Sequence, residues 1–453
     1  MTTGIDAIAF DIAKLHLPIQ TLAQARDIDP DKLEKGLGLL RMTLPDTHQD
    51  AVVFAANALT KLIEQNNVNP KEIARIYVGT ESGVDSAKPI ASFLVGLMDQ
   101  KFGLGTFLHC DAVDFTFACI AGVDALQNCL DFIRLNPTKK AIVVTTDIAK
   151  YDLESTGEYT QGAGAVAMLI TVNPKIIAFD TNWTVATGNN FDFFKPRRTI
   201  EKNEITGSDT NEPWFGNLEA EIEIHKDQPV FDGQYSNFIY TDKVKSTYFM
   251  LKELKGIQGS LYDEWHSIIM HLPYAYQGRR MFSEIYNFDS DNPLTSQRLS
   301  PEEFQIRLKE VPKSAEYKEF VNQKLQPAEI ASSLIGNLYT GSVFMGLLST
   351  LCHFANTETD LTGKTFGFLA YGSGSKSKAF EGIVQQGWKD VIAKMKLFEV
   401  LERNYEIDFD TYLKLHKKEQ KTSILTPSGE WILENIEKEN PNRIGARYYK
   451  WVE

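Results

Sequence analysis

Short, continuous apolar runs that end in small or polar residues recur along the chain, and stretches with helical spacing lie between them. Ile76-Tyr77-Val78-Gly79-Thr80 and Ala141-Ile142-Val143-Val144-Thr145-Thr146 show no polar alternation, as strands buried on both faces require. Val123, Leu126, Leu130 and Ile133 fall three or four residues apart, which predicts one apolar helix face, and Asn136-Pro137 ends that helix. Alternating strands and helices predict an α/β fold. The longest apolar run, around Gly162 to Val172, is too short to span a bilayer, and the N-terminus has acids rather than a basic leader.

What sits at the strand ends recurs in order. A first unit reads RIYVGTES to Glu81, then DFTFACIAGVDAL with a helix beginning at Cys119, then TKKAIVVTTDIA. A second reads SIIMHLPY to His271, then IGNLYTGSVFMGLL with a helix beginning at Asn337, then TGKTFGFLAYGSGS. Such a duplication would gather Glu81, Cys119, His271, Asn337 and the Ser373 loop around a pseudo-twofold centre. Residues 191–260, with turn signals at Asn203, Gly207 and Asp232-Gly233, and residues 283–330 interrupt the pattern and read as insertions, lids or substrate walls. The basic patch of Lys414, His416, Lys417, Lys418 and Lys421 reads as solvated surface.

Composition narrows the classes. At 453 residues, 43% hydrophobic and 24% charged, the chain has the make-up of a folded protein with a large core. Its 47 basic and 60 acidic residues give a net charge of −13, which disfavours nucleic acid and anionic membranes as partners. Four cysteines, Cys110, Cys119, Cys129 and Cys352, without a Cys-x-x-Cys pair, point to a reducing, cytoplasmic setting.

Cys119, just before a helix, sits where unpaired N–H groups and the dipole favour a thiolate nucleophile. Glu81 leaves an apolar strand ahead of Ser82-Gly83, where desolvation would raise its pKa toward general acid/base work. His271 follows Ile268-Ile269-Met270, Asn337 could supply an amide donor, and Gly372-Ser373-Gly374 offers backbone N–H groups in a tight loop. Each residue alone fits an ordinary core, cap or turn role. Gly162-Ala163-Gly164-Ala165 lacks the strand–GxGxxG–helix context of a dinucleotide site, and no metal-ligand spacing, phosphate loop or nucleophile elbow is present.

Together these segments resemble the 3-hydroxy-3-methylglutaryl-CoA synthase family of the thiolase superfamily. The resemblance runs from Gly79-Thr80-Glu81-Ser82 with Asp85 and Lys88, through Asp114 to Cys119, Asp147-Ile148-Ala149 and Thr160 to Ala165. It continues in Asp192-Phe193-Phe194-Lys195-Pro196, Asp232-Gly233, His271-Leu272-Pro273-Tyr274, Gly336 to Ser342 and Tyr371-Gly372-Ser373-Gly374. It implies a thiolase-like five-layered αβαβα fold made of two related halves, and a homodimer. The halves would be residues 1–175, with Glu81 and Cys119, and 176–453, with His271, Asn337, Ser373 and the insertions.

The resemblance also implies roles. Cys119 would take acetyl from acetyl-CoA, with N–H groups near Cys119 and Ser373 holding the oxyanion. Glu81 would assist removal of a methyl proton, and the enolate would attack acetoacetyl-CoA held by His271 and Asn337. Water would then release 3-hydroxy-3-methylglutaryl-CoA, for the mevalonate pathway. Gly372, Ser373, Tyr339, Arg279 and Arg280 join the expected substrate-binding set, with CoA thioesters as substrates and no separate cofactor or metal. Two departures stand out: Ile120 replaces a common Tyr, which would alter the pocket wall, and Tyr276 replaces a CoA-binding Lys, leaving Arg279 and Arg280 to take the phosphates. A carrier-protein-dependent synthase of polyketide β-branching, a decarboxylating ketoacyl synthase and a catalytically silent thiolase-like scaffold are the alternatives.

Overall fold

The computed structural model describes residues 2–207, 219–289, 306 and 308–453. Its centre is a ten-stranded sheet of β1 (Thr3–Ile12), β2 (Ile73–Gly79), β3 (Asp111–Phe115), β4 (Lys140–Ala149), β5 (Gly162–Val172), β6 (Ile177–Phe179), β7 (Thr184–Thr187), β8 (Ser267–Met270), β9 (Thr365–Gly372) and β10 (Lys376–Val384). The order is β8-β9-β10-β6-β1-β5-β4-β2-β3, with β7 also on β10. β4 and β5 are buried almost throughout, which explains their lack of alternation.

The repeated motifs fold alike. β2 runs parallel to β4, and β4 antiparallel to β5. β8 likewise runs parallel to β9, and β9 antiparallel to β10. Helix α2 (Ala121–Leu135) leads from β3 into β4, and the equivalent helix before β9 is Ser342–Asn356. Hydrogen bonds continue through the short β6, which pairs with both β1 and β10 and joins the two units into one sheet.

Helices complete the layers. The α1 helix (Ala51–Gln65), capped by Asp50, covers β1, β5 and β4, while α2 packs on the other face of the same strands. Next in the chain, α3 (Gly233–Lys255) covers β10, β7 and β9, so this part of the 191–260 segment belongs to the layered scaffold and not to a lid. Helix α4 (Gln277–Asp289) packs on α3, and α5 (Ser342–Asn356) packs on β8 and meets α2 where Gly122 faces the Phe344 ring. Gly207 and Asp232 cap helices as expected of turn residues, but Asn203 lies inside the short helix Lys202–Thr206. Residues 208–218, 290–305 and 307, within the two expected insertions, lie outside the described residues.

The C-terminal region wraps back onto the first unit. Its α6 helix (Phe409–His416) lies beside the 151–161 loop, and the hairpin of β11 (Glu430–Ile436) and β12 (Arg447–Val452) clasps α1. There Trp431 donates its backbone N–H to Asn57 (2.7 Å) and its indole N–H to Thr60 (3.0 Å).

Candidate active site

Both parallel strand pairs deliver chemistry at the same end. Glu81 follows β2, His271 follows β8, and the loops before α2 and α5 supply Cys119 and Asn337. Cys119, Tyr339, Asn337, His271, Ser373 and Arg280 line one cavity of about 240 Å³, together with Tyr151, Tyr240 and Phe193. Glu81 touches this cavity through the thiol: the Cys119 Sγ donates to Glu81 Oε1 at 2.9 Å.

The resting thiol is not a thiolate. Burial and the adjacent Glu81 carboxylate push the Cys119 pKa well up. Cys119 stands just before α2, which begins at Ala121 with Ile120 as its cap, as the sequence suggested, but burial and Glu81 set the direction of the shift. Burial also raises the pKa of Glu81, opposed by Lys195, whose Nζ lies 3.8 Å from Glu81 Oε2 and donates to the Glu81 carbonyl at 3.2 Å. A buried acid with a raised pKa, hydrogen-bonded to the thiol, can accept its proton as the sulfur attacks a carbonyl.

Asp147, fully buried in β4, holds the backbone that carries Glu81 and joins the two units. Its Oδ1 accepts from the Glu81 N–H (2.7 Å) and the Ser82 hydroxyl (2.9 Å), and its Oδ2 from the N–H (3.0 Å) and hydroxyl (2.5 Å) of Thr340. Burial and neighbouring Glu81 push its pKa up to about 7.

His271 is deeply buried, and burial lowers its pKa to about 3, so the ring is neutral. Its Nδ1 has no hydrogen-bond partner among the described residues, and the Tyr240 hydroxyl holds its carbonyl at 2.8 Å. Asn337 Oδ1 accepts from the Tyr339 N–H at 2.8 Å, which leaves the amide NH2 to face a ligand. Tyr339 and Ala118 both adopt positive φ, 43° and 42°, a conformation disfavoured for side-chain-bearing residues and held here by the surrounding loops.

Gly372 lets β9 lie directly on the loop that carries Cys119: a Cβ there would stand 2.6 Å from the Phe117 carbonyl oxygen. Asp192 anchors the following loop, accepting from the Tyr371 hydroxyl (2.6 Å) and the Gly374 N–H (2.8 Å). The strand pair Phe193-Phe194 and Val230-Phe231 adds a wall, with Tyr151 packed edge-on to Phe231 at 5.6 Å.

Two expectations need adjustment. Ile120 points into the main core and does not line the cavity, so the exchange at that position alters packing beneath the nucleophile and not the wall. Arg279 is held by both oxygens of buried Glu329 and stacks on Tyr276 at 3.7 Å; it is not on the cavity lining. Only Arg280 reaches the cavity mouth, where it donates to the Gly36 carbonyl at 2.6 Å and is exposed. Asp147, Lys195, Tyr151 and Tyr240 were not singled out as site residues. For Asp147 a signal existed, a carboxylate amid a run otherwise fit for a doubly buried strand.

A buried thiol hydrogen-bonded to a carboxylate, on a thiolase-like αβαβα scaffold, fits the class of acyl-transferring enzymes. The chain belongs to the hydroxymethylglutaryl-CoA synthase family: residues 2–175 match that family's N-terminal region and residues 221–431 its C-terminal region. A hydroxymethylglutaryl-CoA synthase of Haloferax volcanii is 30% identical over 100% of both chains, and one of Enterococcus faecalis is 30% identical over 91% of each. Among solved structures, MvaS in complex with 3-hydroxy-3-methylglutaryl coenzyme A is 27% identical, with a TM-score of 0.83 over 100% of this chain and 99% of that one. The curacin-pathway HMG synthase in complex with a donor carrier protein shares the fold at 20% identity, with a TM-score of 0.78 over 100% of both chains.

Proposed function

We propose that the chain condenses acetyl-CoA with acetoacetyl-CoA through an acetyl-Cys119 intermediate and hydrolyses the product to 3-hydroxy-3-methylglutaryl-CoA. The 2.9 Å hydrogen bond from the Cys119 thiol to Glu81, beside a neutral His271 and the free amide end of Asn337, carries this reading. Cys119 Sγ attacks the acetyl thioester, Glu81 takes the thiol proton, and CoA leaves as the thiol with that proton. The Cys119 and Ser373 backbone N–H groups are assigned to the oxyanion.

Glu81, again a carboxylate, then removes a methyl proton from acetyl-Cys119. The carbanion forms a carbon–carbon bond to the ketone of acetoacetyl-CoA, whose oxygen His271 and Asn337 polarise, and the new alkoxide recovers the proton from Glu81. Water adds its hydroxyl to the Cys119 thioester and returns a proton to sulfur. Arg280, exposed at the cavity mouth, is assigned to CoA phosphate, and no separate cofactor takes part.

A homodimer and a cytoplasmic setting complete the reading. Among the described residues edge strand β3 pairs with β2 alone, and exposed Leu104, Leu108 and Val113 lie in it or in the turns just before it, as a covered interface would require. Four free cysteines suit a reducing compartment.

Intact-protein mass spectrometry after mixing with acetyl-CoA, then with acetoacetyl-CoA, tests the chemistry. An acetyl adduct on Cys119 that disappears on the second addition, with 3-hydroxy-3-methylglutaryl-CoA formed, supports the assignment. An adduct only from an acetylated carrier protein would move it to the carrier-dependent reaction, and none from either donor would sink it.

A further inference from the structure

His416, which the sequence groups with solvated lysines, is half-buried, unlike its exposed neighbours Lys414, Lys417 and Lys418. Its Nε2 donates to the backbone carbonyl of Tyr151 at 2.7 Å, and Lys150 Nζ donates to the His416 carbonyl at 2.7 Å. The other side of Tyr151 is held as well. Its backbone N–H donates to Gln161 Oε1 at 3.1 Å, while Gln161 Nε2 donates to the Tyr412 hydroxyl oxygen at 3.0 Å. That hydroxyl donates to Glu158 at 2.8 Å, and Arg26 closes the chain with two bonds to Glu158, at 2.9 and 2.7 Å.

Both peptide groups of Tyr151 are thus tied to one helix, α6, the carbonyl directly through His416 and the N–H through Gln161 and Tyr412. The ring they aim shares a buried cluster with Cys119, Ala149 and Tyr339, and lines the cavity. Gly157 accommodates it, since a Cβ there would meet the Tyr151 ring at 2.1 Å. A polar chain of this length, buried at its centre around Gln161 and Tyr412, imposes one geometry where apolar packing alone would allow several.

We propose that His416 and Tyr412 are positioning residues for the acyl pocket, acting on Cys119 through Tyr151. The inference rests on Cys119 being the acyl acceptor, but its test does not need a thioester. Iodoacetamide modification of Cys119, followed by peptide mass spectrometry on the full-length protein, reads the wall around the thiol directly. In His416→Ala the modification rate should rise about threefold or more, within the range of coupling between contacting residues. His416→Gln, which retains an N–H donor, should restore the wild-type rate, and Lys417→Ala should leave it unchanged.

A general loss of stability would also expose the thiol, and the double variant separates the two. In a Tyr151→Ala background, where the wall is already gone, His416→Ala should add nothing; Tyr412→Phe should behave likewise in both backgrounds. An unchanged rate in His416→Ala, failure of the Gln variant to restore it, or the same increment with and without Tyr151 would overturn the proposal. The acetyl-adduct experiment on the wild-type protein fails or succeeds separately from this one.

Discussion

Glu81 is held between opposing influences: burial favours its neutral form, and Lys195 at 3.8 Å favours the carboxylate. Because burial is the larger, the group titrates above the ordinary carboxylate range, and only its ionised form can take a proton. Condensation should therefore rise with pH through the raised pKa of Glu81, while His271, neutral above about pH 3, adds no limb near neutrality. Initial rates across pH check this. Glu81→Ala should still form acetyl-Cys119, but more slowly for want of the proton acceptor, and should lower condensation by roughly 10²- to 10⁴-fold, the usual worth of a general base; full condensation in that variant would refute its role. Cys119→Ala should leave no adduct at all. Gly157→Ala should destabilise by about 1–3 kcal/mol in chemical denaturation, because the added methyl meets the Tyr151 ring at 2.1 Å. The gathering of Glu81, Cys119, His271 and Asn337 at one place was legible because each stands at the end of an apolar run or in the loop ahead of a helix. The partners that tune them were not, since they arrive from afar: Thr340 reaches Asp147 across 193 positions and His416 reaches Tyr151 across 265.

At the scale of elements, hydrophobic patterning located β2, β4, α2, β8 and β9, because doubly buried strands and amphipathic helices write their burial into consecutive residues. It read α3 as part of an insertion, for this helix is aromatic and mixed in charge with no sharp apolar stripe. The Lys414–Lys421 patch likewise combined solvated lysines with one inward histidine, a difference that charge alone does not reveal. The clasp of β11 and β12 on α1 gives a direct test of an element contact. Asp50 caps α1 through the Val53 N–H (3.0 Å) and also accepts from Arg447 (2.8 Å) and the Tyr449 hydroxyl (2.9 Å). Asp50→Ala should lower stability by about 3 kcal/mol, combining a lost cap with stranded donors, as read from urea unfolding.

For the molecule as a whole, the net charge is −13, and no helix among the described residues is long and apolar enough to cross a membrane. The proposed dimer makes its own prediction. Val113→Asp on the exposed edge of β3 should shift the sedimentation coefficient from dimer to monomer, and an unchanged coefficient would direct the interface elsewhere.

The two units meet without side chains at one point. A Cβ on Gly336, where φ is 93°, would lie 1.9 Å from the Gln161 carbonyl oxygen, and one on Gly162 would lie 2.6 Å from that of Asn337. These positions therefore sit outside ordinary neutral drift. A larger residue at either would wedge the units apart and carry Asn337 away from Cys119, so inheritance of the catalytic geometry depends on two residues that contribute no chemistry of their own.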